Sequence, residues 1–496
     1  MRSAVCVMVF AAAALVAASG VFAQLSLTFE DQSAGYDPSD IWISFDNGGG
    51  ATPFDVTYNG GTAVVIDAPG GTPNHLSNPI QLSTVNNSTF TINSVSSVAV
   101  FVSYGAPFTT LNASPSFFQG ATSADITYQN FEITRTGGAG DQGNLTNINY
   151  FTAPMSIRSY SSDYDSGNTP LQSVGYNQST GQIASRLASL SSSNAVVDGG
   201  QLRRYVGPST WTTNAPYPSF ANYLSNVHTT GVTNTIQNHN AFNTNGATST
   251  TGLNYNFTFN MTSSVLADNS IQMTGSITTQ VKDNSTGVIT PGTTYTDADI
   301  TLSASDMSAL NSIIYGQTAS PAGLSSQVNW GQGWLDWAAF VQNPSNNLTD
   351  SFPPGTEIQN LTLSATAIGE ITTAILMGFL GNTTDVNGTA LNTMPSEDWW
   401  DLDPMEAFDD IQSDPDYYNQ WAEVIYAATD NGVYSIPYSD RLGNGPLVNT
   451  VQFTLGGTPY NVDQWIVGFG DPIPEPASLI LLGAGTVLVL GRRRRV

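Results

Sequence analysis

The chain has 496 residues, 40% of them hydrophobic, and sets 12 lysines and arginines against 38 aspartates and glutamates, a formal net charge of −26. A surface of that sign repels phosphate backbones and anionic headgroups, which excludes nucleic acid and acidic lipid as partners and leaves uncharged ligands compatible. The length allows two domains, and the single cysteine, Cys6, excludes a disulfide framework.

The opening stretch MRSAVCVMVFAAAALVAASGVFA combines Arg2, an apolar run from Ala4 to Ala18 and small residues before Gln24. This is the pattern of a cleaved secretory signal over residues 1–23, and the exported chain then starts near Gln24 without a thiol. From Leu25 to Phe151 short β-rich runs are punctuated by glycine and proline. They read as antiparallel sheet closed or stacked into a β-barrel or sandwich, a domain spanning 24–181.

Within it lies QNFEITRTGGAGDQGNLTNINYFTAP, from Gln129 to Pro154. Strand side chains repeat every second residue, so Tyr128, Asn130, Glu132 and Thr134 share one face while Phe131 and Ile133 share the other. Four glycines between Thr136 and Gly143 supply a hairpin turn. Symmetric pairing about that turn sets Glu132 roughly opposite Asn147, with Asn149 as its diagonal neighbour. A diagonal pair lies about 7 to 8 Å apart, within the roughly 6.5 to 9.5 Å by which inverting glycosidases separate acid and base, although the second group here is an amide.

From about Gln182 the chain changes character, and residues 182–471 read as a mixed α/β domain. Helices are predicted over Asp306–Tyr315, Ser364–Leu380 and Pro415–Thr429, with apolar residues such as Ile368, Ile371, Ile375 and Phe379 at three- and four-residue steps. Strands are predicted at Tyr255–Met261 and Ile271–Val281. A cleft between the two domains suits a long polymer, since ligand sites favour domain junctions. Trp330, Trp334 and Trp337 read either as core or as a sugar-stacking platform, and the same holds for Trp399 and Trp400. Nine carboxylates between Glu397 and Asp416 read as a solvated acidic helix and loop, with calcium ligation as the other reading. His75, His228 and His239 are isolated, so no metal site or cofactor is expected.

The chain closes on PEPASLILLGAGTVLVLGRRRRV. Pro474, Glu475 and Pro476 precede an apolar run from Ala477 to Gly491 and four arginines, Arg492–Arg495, which hold the end on the cytoplasmic side of a membrane. Residues 472–496 resemble the PEP-CTERM sorting segment of Gram-negative bacteria, which implies an exosortase as processing partner and a cell-surface or extracellular-matrix destination. Without both ends the remainder keeps 7 basic and 37 acidic residues, a net charge of about −30.

The hairpin carries a second resemblance. FEIT followed by NLTNINYFTAPM resembles the EFT and NxSxVDFxGLPM signature of glycoside hydrolase family 64, the bacterial laminaripentaose-producing β-1,3-glucanases. LSLTFEDQSAGYDPSDIWISFDN, TINSVSSVAVFVSYGAPF and NQWAEVIYAATDNGVYSIPYSDRLGNGP extend the likeness in the same order, so it covers most of the exported chain. The resemblance implies a thaumatin-like β-barrel and a mixed α/β domain flanking a wide groove, and a secreted, endo-acting, inverting β-1,3-glucan hydrolase. Glu132 matches the family's general acid and Thr134 its sugar-contacting threonine. Asn130 and Asn147, expected beside Glu132, are candidate substrate-binding amides. The family's base, an aspartate, corresponds to Asn149, and an amide accepts no proton at neutral pH. Asp141 in the turn is the nearest spare carboxylate and a possible base, Asp125 the next; a register slip in the matching is the third possibility. The alternative is a catalytically impaired glucan-binding or matrix protein on the same fold, and in either form a monomer is expected.

Overall fold

The computed structural model describes residues 24–47, 53–66, 75–108, 125–138, 140–210, 217–237, 253–283, 288–317, 328–330, 362–402, 407–429, 432–437 and 446–473. The signal segment, Trp334, Trp337 and the tail from Pro474 lie outside the described residues. In chain order the main elements are β1 (Leu25–Asp31), β2 (Ile41–Asp46), β3 (Phe54–Tyr58), β4 (Thr89–Tyr104), β5 (Thr127–Arg135), β6 (Gln142–Leu145), β7 (Tyr150–Phe151), β8 (Met155–Tyr160), β9 (Gln172–Gly175), α1 (Thr180–Leu190), β10 (Ala195–Asp198) and β11 (Gln201–Val206). They continue with α2 (Ala221–Thr230), β12 (Asn234–Ile236), β13 (Leu253–Val265), β14 (Ile271–Asp283), β15 (Ile289–Leu302), α3 (Met307–Ile314), β16 (Val328–Trp330), α4 (Thr362–Leu376), α5 (Gln420–Ala427), β17 (Leu447–Asn449) and β18 (Gln464–Phe469). The protein is mainly β and divides into two compact units. Of the described residues, one takes those up to Gly207 with Ala428–Val433 and the stretch from Pro446; the other takes Pro208–Ala427 and Tyr434–Gly445. The first unit thus includes α1, β10, β11, β17 and β18 besides the 24–181 stretch.

The first unit is built on a 12-stranded sheet whose main path runs β9-β8-β18-β1-β4-β5-β6-β17, with β2 and β3 also paired on the long strand β4. β18 pairs in parallel with β1, Ser26 opposite Gln464 through Asp31 opposite Phe469, and antiparallel with β8, which puts the C-terminal strand in the middle of the sheet. The two edges meet. Gln172 on β9 reaches β17, its Nε2 donating to Leu447 O at 3.1 Å and its Oε1 accepting from Asn449 N at 2.9 Å. A side-chain amide thus stands in for the rung that would close the sheet, and the result is nearly a barrel. The core is aromatic and β-branched, as inward positions of strongly curved strands require. Phe29, Phe90, Phe45 and Phe131 pack at 5.4–6.2 Å between ring centroids, and Trp465 is fully buried with Nε1 donating to Asn449 O at 2.9 Å.

The second unit holds a five-stranded sheet in the order β12-β13-β14-β15-β16, all antiparallel. Alternation is regular: Met261, Ser263 and Val265 are buried while Thr262 is exposed, and on β14 Ile271 and Met273 are buried while Thr274 is exposed. α3 begins where predicted, because the Asp306 side chain caps it by accepting from Ala309 N at 2.9 Å. α4 ends at Leu376, before the predicted Leu380, since Gly378 and Gly381 take φ of 77° and 69° and turn the chain out of the helix. The third predicted helix is a 3-10 turn at Pro415–Tyr417 followed by α5. Trp399 is fully buried against Phe379, ring centroids 5.6 Å apart, so of the two readings of this residue the structure supports core.

One ionisable group in this unit has no counterpart in the sequence argument. Glu370 on α4 is fully buried, and among the described residues neither carboxyl oxygen has a hydrogen-bond partner. Burial pushes its pKa up to about 8; Ser396 opposes the shift and Glu397 adds to it. Ser396 has little to offer, because its hydroxyl already donates to Gln237 O at 2.8 Å.

Candidate functional site

β5 lies between β4 and β6, and the register sets Glu132 between Ala99 on one side and Asn144 on the other. Asn130 and Thr134, both half-buried, flank it on its own strand face, and Asn144 opposite it is buried. Phe131 and Ile133 turn inward, Phe131 against Phe29 at 6.2 Å between centroids. On the Glu132 face the strand grades from packed to open. Tyr128 is fully buried in a cluster with Leu76, Phe101, Phe108 and Tyr150, whereas Asn130, Glu132 and Thr134 are half-buried.

Asn130 and Thr134 are each oriented by a named neighbour. The Tyr150 hydroxyl donates to Asn130 Oδ1 at 2.5 Å, which leaves the Asn130 amide nitrogen as a donor of fixed direction. Burial holds the Tyr150 pKa well above its ordinary value, with Tyr128 adding to the shift and Arg204 opposing it, so the phenol keeps the proton it donates. Arg204 on β11 is fully buried, stands 4.2 Å from the Tyr128 ring centroid and 6.0 Å from that of Tyr150, and donates through Nη2 to Ile126 O. Thr134 Oγ1 accepts from Ser97 N at 3.0 Å, within the bulge of β4 where Ser97 takes φ of 49°.

The hairpin turn is tighter than symmetric pairing predicts, and this corrects two placements. Glu132 faces Asn144, not Asn147. Asn147 lies beyond β6, buried, its Nδ2 donating to Tyr150 O and its Oδ1 accepting from Tyr176 Oη, both at 2.6 Å. Asn149 sits in the bend before β7, half-buried, with its carbonyl accepting from Gly207 N at 2.8 Å, and is not the diagonal neighbour of Glu132. The cause is Asp141. Its Oδ2 accepts from Thr136 N, from Gly137 N at 2.8 Å and from Gly138 N at 3.0 Å, and the Thr136 hydroxyl lies 3.1 Å from both of its oxygens. The carboxylate thereby gathers the amides that precede it and closes the loop within six residues. Gly143 lets β6 approach: a Cβ there would collide with Glu132 O and lie 2.8 Å from Trp465. Burial lowers the Arg135 pKa while Asp141 and Asp463 oppose that, so Asp141 also faces a buried cation.

Three participants were missed from sequence: Asn144, Tyr150 and Arg204. Asn144 needed the true turn length, and Tyr150 was visible in NINYF without a partner. Arg204 had one signal, a basic pair in a chain with 12 lysines and arginines in all. Among the described residues no group of three histidine, cysteine or acidic side chains is arranged to hold a metal ion. In the acidic stretch Asp414 accepts from Asp416 N at 3.0 Å, while Asp403 and Glu406 lie outside the described residues.

Residues 472–495 match the PEP-CTERM protein-sorting motif. No match is found among curated proteins. The solved structures similar to this chain include a β-1,3-glucanase domain (GH64) from Clostridium beijerinckii, 12% identical, with 90% of this chain and 98% of that one covered and a TM-score of 0.45. They also include the GH family 64 laminaripentaose-producing β-1,3-glucanase from Paenibacillus barengoltzii complexed with laminarihexaose, 12% identical, with 90% and 75% covered and a TM-score of 0.44. A further structure of that P. barengoltzii enzyme is 12% identical, with 95% and 80% covered and a TM-score of 0.41.

Proposed function

We propose that the chain is an exported β-1,3-glucan hydrolase of the bacterial cell surface, acting as a monomer, with Glu132 as general acid. The observation that carries this reading is the setting of Glu132: a half-buried carboxyl on a three-stranded platform, directly beside Asn144 and one step along its own strand face from Asn130. A half-buried carboxyl with the Asn130 amide on the same face suits a saccharide, the acid protonating the leaving glycosidic oxygen and that amide bonding a ring hydroxyl. Thr134 stands next on the same face, and its hydroxyl proton remains available to a ligand while its oxygen accepts from Ser97. The sequence resemblance of FEIT and NLTNINYFTAPM supports the same role, and the sorting motif supports export.

Inversion also needs a carboxylate to deprotonate the attacking water. Asp141 is the remaining acid of the hairpin, but its oxygens already accept from the turn amides, and it lies three residues beyond the rung of Glu132, about 10 Å along the strand. We therefore assign Asp141 to the turn and the base to an acid outside the hairpin. The same fact favours a second reading, in which the base has been lost, as the amide at Asn149 implies, and the protein binds glucan without cutting it. Incubating purified exported chain with a linear β-1,3-glucan separates them. Release of reducing ends supports the hydrolase; co-sedimentation with insoluble glucan and no reducing ends supports the binding protein and refutes the hydrolase.

A further inference from the structure

The second feature that invites a partner lies at the root of the tail. A cavity of about 510 Å³ opens in the first unit between the end of β1, the end of β18 and the start of α1, lined by Gln32, Tyr36, Ser179, Gly181, Asp471 and Ile473 among others. The same few residues end the fold. Asp471 Oδ1 accepts from Ala34 N at 2.9 Å and Gly35 N at 3.1 Å, and its carbonyl accepts from the Thr180 hydroxyl at 2.5 Å. Gly470 N donates to Pro154 O and Ile473 N to Thr152 O, both at 2.9 Å, and Pro472 and Ile473 are buried.

No spacer therefore separates the fold from the sorting segment, whose match begins at residue 472. Ala477, where the apolar run starts, is four residues past Ile473, so extended chain puts at most about 14 Å between them. Whatever grips that apolar run must come against the cavity face. The face is acidic, for Asp471 is in the wall and Asp31 stands next to the lining residue Gln32, both close enough to act on Tyr104 together with Tyr36, which disfavours anionic lipid as the opposing surface. It also exposes Gln32 and Ser179 as hydrogen-bonding groups around the half-buried Tyr36 ring.

We propose that this cavity face is the docking surface for the membrane-embedded peptidase that removes the sorting segment, and that the peptidase meets it with a basic, hydrogen-bonding rim. The proposal rests on the sorting-motif reading of residues 472–495 and is independent of the glucan chemistry.

Gly181 gives a clean probe, since a Cβ there meets nothing within 4 Å and its backbone is not in the left-handed region. Full-length Gly181→Arg, expressed in a host that removes such tails, puts a bulky cation into the acidic face. Tail loss is followed by intact mass, with the melting temperature as the control for folding. The expected result is an unchanged melting temperature and tail removal at least about tenfold slower, the equivalent of one decade in affinity. A flexible Gly/Ser insertion of roughly a dozen residues between Ile473 and Pro474 in that variant should restore the rate, because the partner is no longer forced against the face. Wild-type processing of Gly181→Arg, or no recovery on insertion, overturns the proposal. A wild-type chain that keeps its tail overturns the sorting reading and the docking face with it. Binding of the wild-type chain to phosphatidylglycerol vesicles that Gly181→Arg strengthens would assign the face to lipid and also overturn it.

Discussion

Glu370 makes the sharpest stability prediction. Its pKa is raised from 4.5 to about 8 because burial disfavours the charged form. A raised folded-state pKa means that the native state holds its proton over a range in which the unfolded chain has released it. The associated stability is therefore complete below about pH 4.5 and is lost as pH rises through about 8. Each pH unit inside that window removes about 1.4 kcal/mol, so the whole interval amounts to about 5 kcal/mol, comparable with the net stability of many domains. Glu370→Gln keeps the shape and cannot ionise. Its stability relative to wild type should rise steadily from pH 4.5, reach its full gain near pH 8 and stay level above. Urea unfolding at four or five pH values measures this, with fluorescence of the buried Trp399 and Trp421 of the same unit as the signal. Any fixed cost of burying the amide shifts every point equally and leaves the slope untouched. Parallel pH profiles for the two proteins would refute the argument, showing that Glu370 ionises as readily in the folded chain as in the unfolded one.

Gly143→Ala should be strongly destabilising, by about 3 kcal/mol or more, because the new methyl meets backbone at Glu132 and the Trp465 ring within a tightly packed sheet. A melting temperature equal to that of wild type would contradict the β5–β6 register. Asp141→Ala removes the acceptor for the Gly137 and Gly138 amides and should cost about 1–3 kcal/mol, while glucan hydrolysis per folded molecule stays at the wild-type level. A large fall in rate with stability intact would make Asp141 the base.

The sequence carried local structure well and pairing poorly, for a physical reason. Alternation along Tyr128 to Thr134 identifies the two faces of β5 from side-chain period alone, and the Asp306 cap marks the start of α3. Neither pattern contains information about partners. The parallel pairing of Leu27 with Trp465 joins residues at opposite ends of the chain, and a strand buried on both sides looks the same beside any neighbour. Register failed more narrowly. The glycines of TGGAGDQG mark a turn, but its length is set by where the Asp141 carboxylate folds back, and a three-residue change in that choice exchanges Asn147 for Asn144 opposite Glu132. Arg204 escaped notice because its setting, stacked on Tyr128 and donating to Ile126 O, exists only once β11 lies near β5.

The central claim is that the Glu132 carboxyl donates a proton to a glucan linkage, and Glu132→Gln tests it with the least change of shape. Reducing-end release from a linear β-1,3-glucan should fall by at least about a hundredfold in the variant, the scale of a lost general acid, while its melting curve stays that of a folded protein. Equal rates for the variant and the wild type would contradict the assignment and remove Glu132 from the chemistry.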